Sequence, residues 1–489
     1  MAIVYDKTPL KERVGKLLED EQQHEAIMAA QDAIAGKRDA LVAAEGADWE
    51  TRRNVAARIR DHVLKNLDYY VKEFAENATK AGCTVHFAPT GADACETVVG
   101  IVEELGETEC VKAKSMMTEE IGLNAALAEH GIGAVETDCA EHILSTADDM
   151  PSHIVVPAVH LDRRAIRDVY HEKYGYEGTD NPEEITRFLR EVLRPVFLNA
   201  RVGITGCNFG VASTGSTTLV TNEGNARMVT CTPATQIVVM GIERIVPDLA
   251  SLDVMMSLLV PSAVGSKITS SFSLSTGPRR ESEADGPATV HIVLVDNGRS
   301  RIVESEYRPI LRCIRCGACM NTCPVYRHIT GHGYGSIYPG PMGMVLTPLL
   351  AGYDEVGKLL NACTLCGACT SVCPVKIPLN SLIMHHRNDY VAEGHTSALE
   401  KGVFKLAEGF FGSRRLYGAG TAVAAPAMKL IGGKKGYLGK GLSWVPILKG
   451  WMNTRDLDLM KKKKFRAVFA EHERERANGA GTGEEGGVR

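Results

Sequence analysis

The sequence predicts a mixed fold, α/β plus all-α: N-terminal helices, a central α/β domain, a small cysteine-bearing domain and a helical C-terminal region. Three observations predict it. Residues 1 to about 80 are rich in Ala, Leu, Glu and Lys, with apolar residues at helical spacing. From there to about Gly298, short apolar segments alternate with helical ones, the mark of a mostly parallel sheet covered on both faces. Two near-identical cysteine runs follow, "CIRCGACMNTCP" from Cys313 and "CTLCGACTSVCP" from Cys363.

The helical opening is "LKERVGKLLEDEQQHEAIMAAQDAIAGKRDALVAAEG", with Gly46 as a stop, followed by "DWETRRNVAARIRDHVLKNLDYYVKEFAENATKAG" ending on Gly82. In the α/β part, "TVHFA" precedes the helix "GADACETVVGIVEELG", and "CVKAK" precedes the helix "MTEEIGLNAALAEHG". "GAVETD", "HIVVPAV", "ARMVTCTPATQIVVMG" and "ATVHIVLVDNG" read as further strands. Between the cysteine runs, "GHGYGSIYPGPMG" reads as loop and "LLAGYDEVGKLLNA" as helix. The tail has helical patches with Gly-rich breaks, then a charged helix "DLDLMKKKKFRAVFAEHERERA" and a disordered end, "NGAGTGEEGGVR". The resulting domains are 1–80, 81–300, 301–395 and 396–489.

At 489 residues the chain is too long for one core, and 44% hydrophobic with 24% charged residues is ordinary for a globular protein. A net charge of −5 gives no pull toward nucleic acid. The N-terminus is charged within a few residues and lacks the apolar run of a secretory signal. No stretch reaches the ~18 apolar residues of a membrane span. The nearest, "IVPDLASLDVMMSLLVPSAV" (Ile245–Val264), carries two Asp and two Pro and reads as a buried helix pair. A cytoplasmic protein is expected.

Eight of the fourteen cysteines lie in the two runs. Each run spells Cys-x2-Cys-x2-Cys-x3-Cys-Pro. A cubane iron–sulfur cluster offers each iron one outer thiolate, and three closely spaced cysteines can wrap three corners. The proline turns the chain away, so the fourth cysteine ligates the other cluster. Two [4Fe–4S] clusters are therefore expected: one on Cys313, Cys316, Cys319 and Cys373, the other on Cys363, Cys366, Cys369 and Cys323. Structural zinc is the competing reading, but it favours two Cys-x-x-Cys pairs over two triplets with trailing Cys-Pro. Gly317 and Gly367 are expected to let the backbone approach the clusters. With room for a loop and a helix between them, the runs resemble the α-helical ferredoxin type of respiratory dehydrogenase subunits.

Other features have bland readings. The remaining cysteines (Cys83, Cys95, Cys110, Cys139, Cys207, Cys231) read as small core hydrophobes. His385 and His386 read as packing or surface groups, with a quinone or proton-relay role as the minority view. "GITGCNFGVASTGSTTLVTNEGNARM" (Gly203–Met228) is either an anion-cradling loop or Gly-rich turns between strands; it matches neither a dinucleotide fingerprint nor a Walker loop.

That segment, with "KSMMTEEIGLNAALAEHGIGAVETD", "PSHIVVPAVH", "VLVDNGRS" and both cysteine runs, resembles the LutB (LldF/YkgF) family of iron–sulfur proteins of L-lactate utilisation. The resemblance covers about residues 50–460. It implies a LUD domain with a fold similar to CoA transferases and ribose-5-phosphate isomerase, an α-helical dicluster ferredoxin domain and a family-specific C-terminal region. It also implies NAD-independent oxidation of L-lactate to pyruvate, this chain being an electron carrier rather than the sole catalyst. The implied partners are a Cys-Cys-Gly-motif protein and a second, smaller LUD-domain protein (LutA- and LutC-like). This chain has no Cys-Cys pair, so that chemistry would come in trans.

A transferase-like fold raises an acyl- or CoA-transferring alternative, with Glu223 of "TNEGN" as nucleophile. A cap or solvated charge is the commoner role for such a carboxylate. Glu119 and Glu120 are expected to cap the first turn of their helix. Lys461–Lys464, beside Phe465 and Phe469, reads as a solvated face. Docking at the inner face of the membrane, near a quinone-linked acceptor, is the minority reading, strengthened slightly by "WVPILKGWMN" (Trp444–Asn453).

Overall fold

The computed structural model describes residues 3–432, 437–438, 455–460 and 465–479. It forms two compact units, Met1–His395 and Thr396–Arg489. The expected boundaries near residues 80 and 300 fall inside the first.

The first unit is built on a six-stranded, all-parallel sheet. Its strands are β1 (Thr84–Ala88), β2 (Glu109–Lys112), β3 (Gly133–Glu136), β4 (Val202–Thr205), β7 (Thr235–Gly241) and β10 (Thr289–Val295), in the order β1-β10-β7-β4-β2-β3. A second sheet, order β8-β5-β6-β9, holds β5 (Phe209–Val211), β6 (Ser216–Thr221), β8 (Ile245–Val246) and β9 (Ser271–Ser275). Strand β7 is buried throughout, as expected of a central strand between two helical layers. Its side chains alternate between faces. Ile237 and Val239 pack with Val98 and Val102 of helix Gly91–Glu104, while Val238 and Met240 pack with Phe74 and Ala78 of helix Leu67–Lys80.

The N-terminal helices are Leu10–Leu17, Glu21–Glu45, Ala47–Lys65 and Leu67–Lys80. The break at Gly46 has a left-handed φ of +57°. Helix Leu249–Val264 packs on the second and third of them. It is one helix rather than the expected pair: Asp248 caps its start, and Pro261 falls near its end. The carbonyl of Ser257, which a residue without N–H at 261 cannot satisfy, accepts instead from Arg52 at 3.5 Å.

Other segments differ from expectation. Asn225–Cys231, expected to open a strand, is a helix, and β7 begins only after Pro233. "HIVVPAV" forms no strand: the Val155 and Val156 N–H groups donate to His153 Nδ1, and Ser152 N–H donates to Pro157 O, which folds the segment into a tight loop. The Gly-rich stretch from Gly203 is strands joined by turns. The helix after "SIYP" starts at Gly340, earlier than expected, because Pro341 sits in its first turn where no N–H is required.

In the second unit, helices Ala398–Gly412 and Arg414–Gly432 precede a two-residue ladder, β11 (Tyr437–Leu438) with β12 (Leu457–Asp458), and helix Phe465–Gly479. The second helix runs through Gly418 and Gly420, expected to be breaks. Lys461–Lys464, Trp444–Asn453 and the 480–489 tail lie outside the described residues.

Candidate functional site

The two cysteine runs share one local frame. A 3-10 turn leads into each, Arg308–Arg312 before the first and Gly357–Asn361 before the second. Each then has a left-handed non-glycine residue, Arg315 (φ 60°) and Leu365 (φ 56°), and a left-handed glycine, Gly317 (φ 76°) and Gly367 (φ 82°). A short helix follows, Ala318–Asn321 or Ala368–Val372, carrying the third cysteine. The left-handed residues aim amides at sulfur. Arg315 N–H lies 3.4 Å from Cys313 Sγ, and Leu365 N–H lies 3.3 Å from Cys363 Sγ. The last cysteines also accept backbone amides, here from residues of ordinary φ, with Tyr326 N–H 3.5 Å from Cys323 Sγ and Ile377 N–H 3.3 Å from Cys373 Sγ.

A small cavity is lined by Cys313, Cys316 and Cys319 of the first run and by Cys373, the last of the second. Burial, then repulsion from Cys313 and Cys373, pushes the Cys316 thiol up; Cys373 is pushed up to about 11 by burial. On the other side, Cys323 is raised by burial and by Cys363, and Cys369 is pushed up to about 12 by burial, Cys323 and Cys363. Thiols crowded in dry surroundings hold their protons until a cation takes the charge. A donor set of four sulfurs around a cavity, with amides aimed at them, fits a cubane cluster.

The two glycines owe their place to backbone conformation. A Cβ at Gly317 would press on His153 Cε1 at 2.9 Å and Val155 Cγ2 at 3.1 Å, whereas one at Gly367 would meet only Asn380 at 3.9 Å. What they share is a φ that L side chains rarely adopt.

Arginines distant in sequence surround the runs, and sequence reasoning missed them. Arg244 donates to Cys313 O at 2.8 Å, Arg53 to Cys373 O at 2.8 and 3.1 Å, and Arg38 to Val372 O at 3.2 Å. Arg60, fully buried, donates to Ile245 O at 2.9 Å and Leu311 O at 2.8 Å, joining helix Ala47–Lys65 to the lead-in of the first run. An arginine on a helix face carries no sequence signal that it will seek a carbonyl far along the chain.

The 149–160 loop covers the first run. Tyr326 Oη donates to Ser152 O at 2.7 Å, and Gly331 N–H to Ser152 Oγ at 3.1 Å. Asp149, His160 and His332 cluster here, but His160 Nε2 is bonded to Asp149 at 2.9 Å and His332 Nε2 to Met150 O at 2.8 Å, a brace between loops.

Three carboxylates are placed differently from one another. Glu120 caps no helix. It is fully buried and accepts from Arg299 at 2.8 and 2.7 Å, from Asn297 at 2.7 Å and from Tyr338 at 2.6 Å, while Ser115 caps the helix. Glu119 lies in the first turn and pairs with Lys112 at 3.0 Å. Glu223 accepts the N–H of Cys139 at 2.9 Å, the first residue of helix Cys139–Ala147. His386 is a core residue, stacked on Tyr307 at 4.1 Å, donating from Nε2 to Val345 O and accepting from Tyr353 Oη. His385 is a half-buried partner of Glu306 at 2.6 Å. Cys83, Cys95 and Cys110 are buried in the sheet's two apolar layers, where burial raises their thiols.

Comparison with known proteins gives this geometry a family. A profile described as LUD domain matches residues 71–295, and one described as 4Fe-4S dicluster domain matches residues 309–377, spanning both runs. The chain is 47% identical over 481 residues to the "Uncharacterized electron transport protein YkgF" of Escherichia coli (strain K12), covering 98% of this chain and 100% of that one. It is 46% identical over 476 residues to "Lactate utilization protein B 2" of Bacillus mycoides (strain KBAB4), covering 97% and 99%. The chain belongs to the LutB (LldF/YkgF) family. "Lactate utilization protein B" of Bacillus cytotoxicus is likewise 46% identical, with coverage of 97% and 99%. A crystal structure of a DUF162 family protein from Deinococcus radiodurans is 13% identical, covers 47% of this chain and 98% of its own, and has a TM-score of 0.26, too low to bear on the fold. Among the described residues of this LutB-family chain, no helix is long and apolar enough to cross a membrane.

Proposed function

We propose that this chain is the electron-transfer subunit of a multi-protein, NAD-independent system that oxidises L-lactate to pyruvate. The single observation that carries the reading is the cavity walled by three cysteines of one run and the last of the other. That mixing supports two interlocked sites: Cys313, Cys316, Cys319 and Cys373 would hold one [4Fe–4S] cluster, and Cys363, Cys366, Cys369 and Cys323 the second. When bound, such clusters carry electrons singly, which suits a donor that releases two. The chain's own contribution is electrostatic. Amides of Arg315, Leu365, Tyr326 and Ile377 on the sulfurs, and Arg244 and Arg53 on neighbouring carbonyls, favour the more negative state.

Relatives named lactate utilization protein B support lactate as the electron source and a multi-protein setting. A Cys-Cys-Gly-motif protein and a smaller LUD-domain protein are the partners that reading requires. The acyl-transfer alternative gains nothing from the geometry, because the Glu223 carboxylate is engaged at a helix start.

The test is anaerobic reconstitution with both partners. Cys316→Ser should abolish lactate-dependent electron delivery to the acceptor, and Glu223→Ala should leave it intact. Delivery that survives Cys316→Ser would reduce the clusters to structural elements; loss with Glu223→Ala alone would favour acyl transfer.

A further inference from the structure

A second cavity, of about 640 Å³, opens where the carboxyl ends of β2, β4 and β7 give way to Lys114, Asn208 and Glu243. Open parallel sheets take small ligands at the carboxyl ends of their strands, and the volume lies in the usual ligand range of roughly 300–1,000 Å³. Much of the wall is apolar, with Leu219 from β6 and Leu259 and Val264 from helix Leu249–Val264.

One charged side chain on that wall comes from inside a cysteine run. Arg315 stands between Cys313 and Cys316, and its own amide lies on Cys313 Sγ at 3.4 Å. Its guanidinium stacks on Tyr338 at 4.5 Å and touches Met342 Sδ at 3.1 Å, and Glu243 is 3.8 Å away, beyond hydrogen-bond reach. The neighbouring cations are committed elsewhere. Arg299 binds Glu243 at 2.6 Å and Glu120 at 2.7 Å, and Arg244 donates to the carbonyls of Asn208 and Cys313. Arg299 is thus filled by carboxylates and Arg244 by carbonyls, whereas Arg315 has only Met342 Sδ within hydrogen-bond distance and Glu243 as an ion pair at 3.8 Å. Asp138 and Glu223 also line the cavity, with Lys114 paired to Glu141 at 3.4 Å.

We infer that this pocket binds an organic hydroxycarboxylate with a partly apolar body, its carboxylate on Arg315 and its hydroxyl toward Asp138. Arg forks recognise carboxylates in two-point fashion. The cavity is several times the volume of L-lactate, so the occupant that fills it has a longer body. The inference rests on the electron-transfer reading for its purpose, since a ligand held by Arg315 adjoins the residue whose amide bonds the Cys313 sulfur.

The test is anaerobic titration calorimetry on the full, cluster-loaded chain, with 2-hydroxyoctanoate, octanoate, L-lactate and inorganic phosphate as probes and iron content matched between variants. Saturable binding of 2-hydroxyoctanoate is expected, with L-lactate and octanoate each roughly tenfold weaker. Arg315→Gln should weaken binding roughly tenfold or more. Val264→Trp, which fills the cavity from a helix outside the cysteine runs, should abolish it while keeping the iron. No saturable heat with any carboxylate, phosphate binding as tightly, or unchanged affinity in loaded Arg315→Gln would overturn the inference. So would an Arg315→Gln protein whose only change is a cluster potential, since the guanidinium would then serve only to offset cluster charge. If lactate and both partners leave the clusters oxidised, the electron-transfer reading fails while this binding measurement stands; if no probe binds, only the pocket assignment fails.

Discussion

The Tyr338 hydroxyl donates to Glu120 Oε2 at 2.6 Å, across 218 residues of sequence. That bond ties the segment between the cysteine runs to a buried ion network, in which Arg299 bridges Glu120 and Glu243. Removing one member of a buried pair leaves the other uncompensated, a loss of about 3–5 kcal/mol. Glu120→Ala should therefore lower stability by that much. Tyr338→Phe, which leaves Glu120 with Asn297 and Arg299, should cost about 1.5–3 kcal/mol. Denaturant midpoints of anaerobically prepared protein read both, and the order of the two variants matters more than either value.

The proposed interlocking of the runs has a spectroscopic consequence. Cys373 belongs in sequence to the second run but lines the cavity of the first. Cys373→Ser should therefore perturb the paramagnetic signal of the cluster on Cys313, Cys316 and Cys319, the same signal that Cys316→Ser perturbs. Agreement of Cys373→Ser with Cys366→Ser instead would mean that each run serves its own cluster.

Stability should fall in acid through His386. Burial lowers this imidazole from its ordinary value to about 4, so the unfolded chain takes up a proton near pH 6.5 that the folded one refuses. The unfolded state then binds more protons between about pH 4 and 6.5, and stability drops as pH falls through that window before levelling below it. A span of that size corresponds to at most about 3 kcal/mol. His386→Gln should flatten this part of the pH dependence of the denaturant midpoint relative to the unaltered chain.

Gly331 marks a contact that admits no side chain. A Cβ there would sit 1.7 Å from the carbonyl oxygen of Ser152, a backbone atom that cannot swing aside. Gly331→Ala should push the 149–160 loop off the first cysteine run and lower stability by about 3 kcal/mol, the upper end for overpacking. Proteolysis between residues 149 and 160 should accelerate in the variant; an unchanged rate would show that the loop yields elsewhere.

What could be read from the sequence was local. The cysteine runs are local in spacing, and β7 and β10 carry continuous apolar runs, so these were legible, whereas β4 (Val202–Thr205) lay unread at the start of the Gly-rich stretch. The helix Asn225–Cys231 was not, because Val229 and the buried strand that follows have the same apolar character and only Pro233 separates them. Glu120 looked like a helix-start carboxylate because its partners Asn297, Arg299 and Tyr338 lie far along the chain. Arg315 stands at one of the unspecified positions of the Cys-x2-Cys spacing. Its side chain gains meaning only when the fold sets it against the carboxyl ends of the strands.

The most direct measurement is the redox response of the anaerobic, reconstituted complex to L-lactate. The chain should carry about eight irons, and lactate should bleach the cluster absorbance and raise a reduced-cluster paramagnetic signal. A chain whose clusters are reduced by dithionite but stay oxidised when lactate and both partners are present would contradict the account.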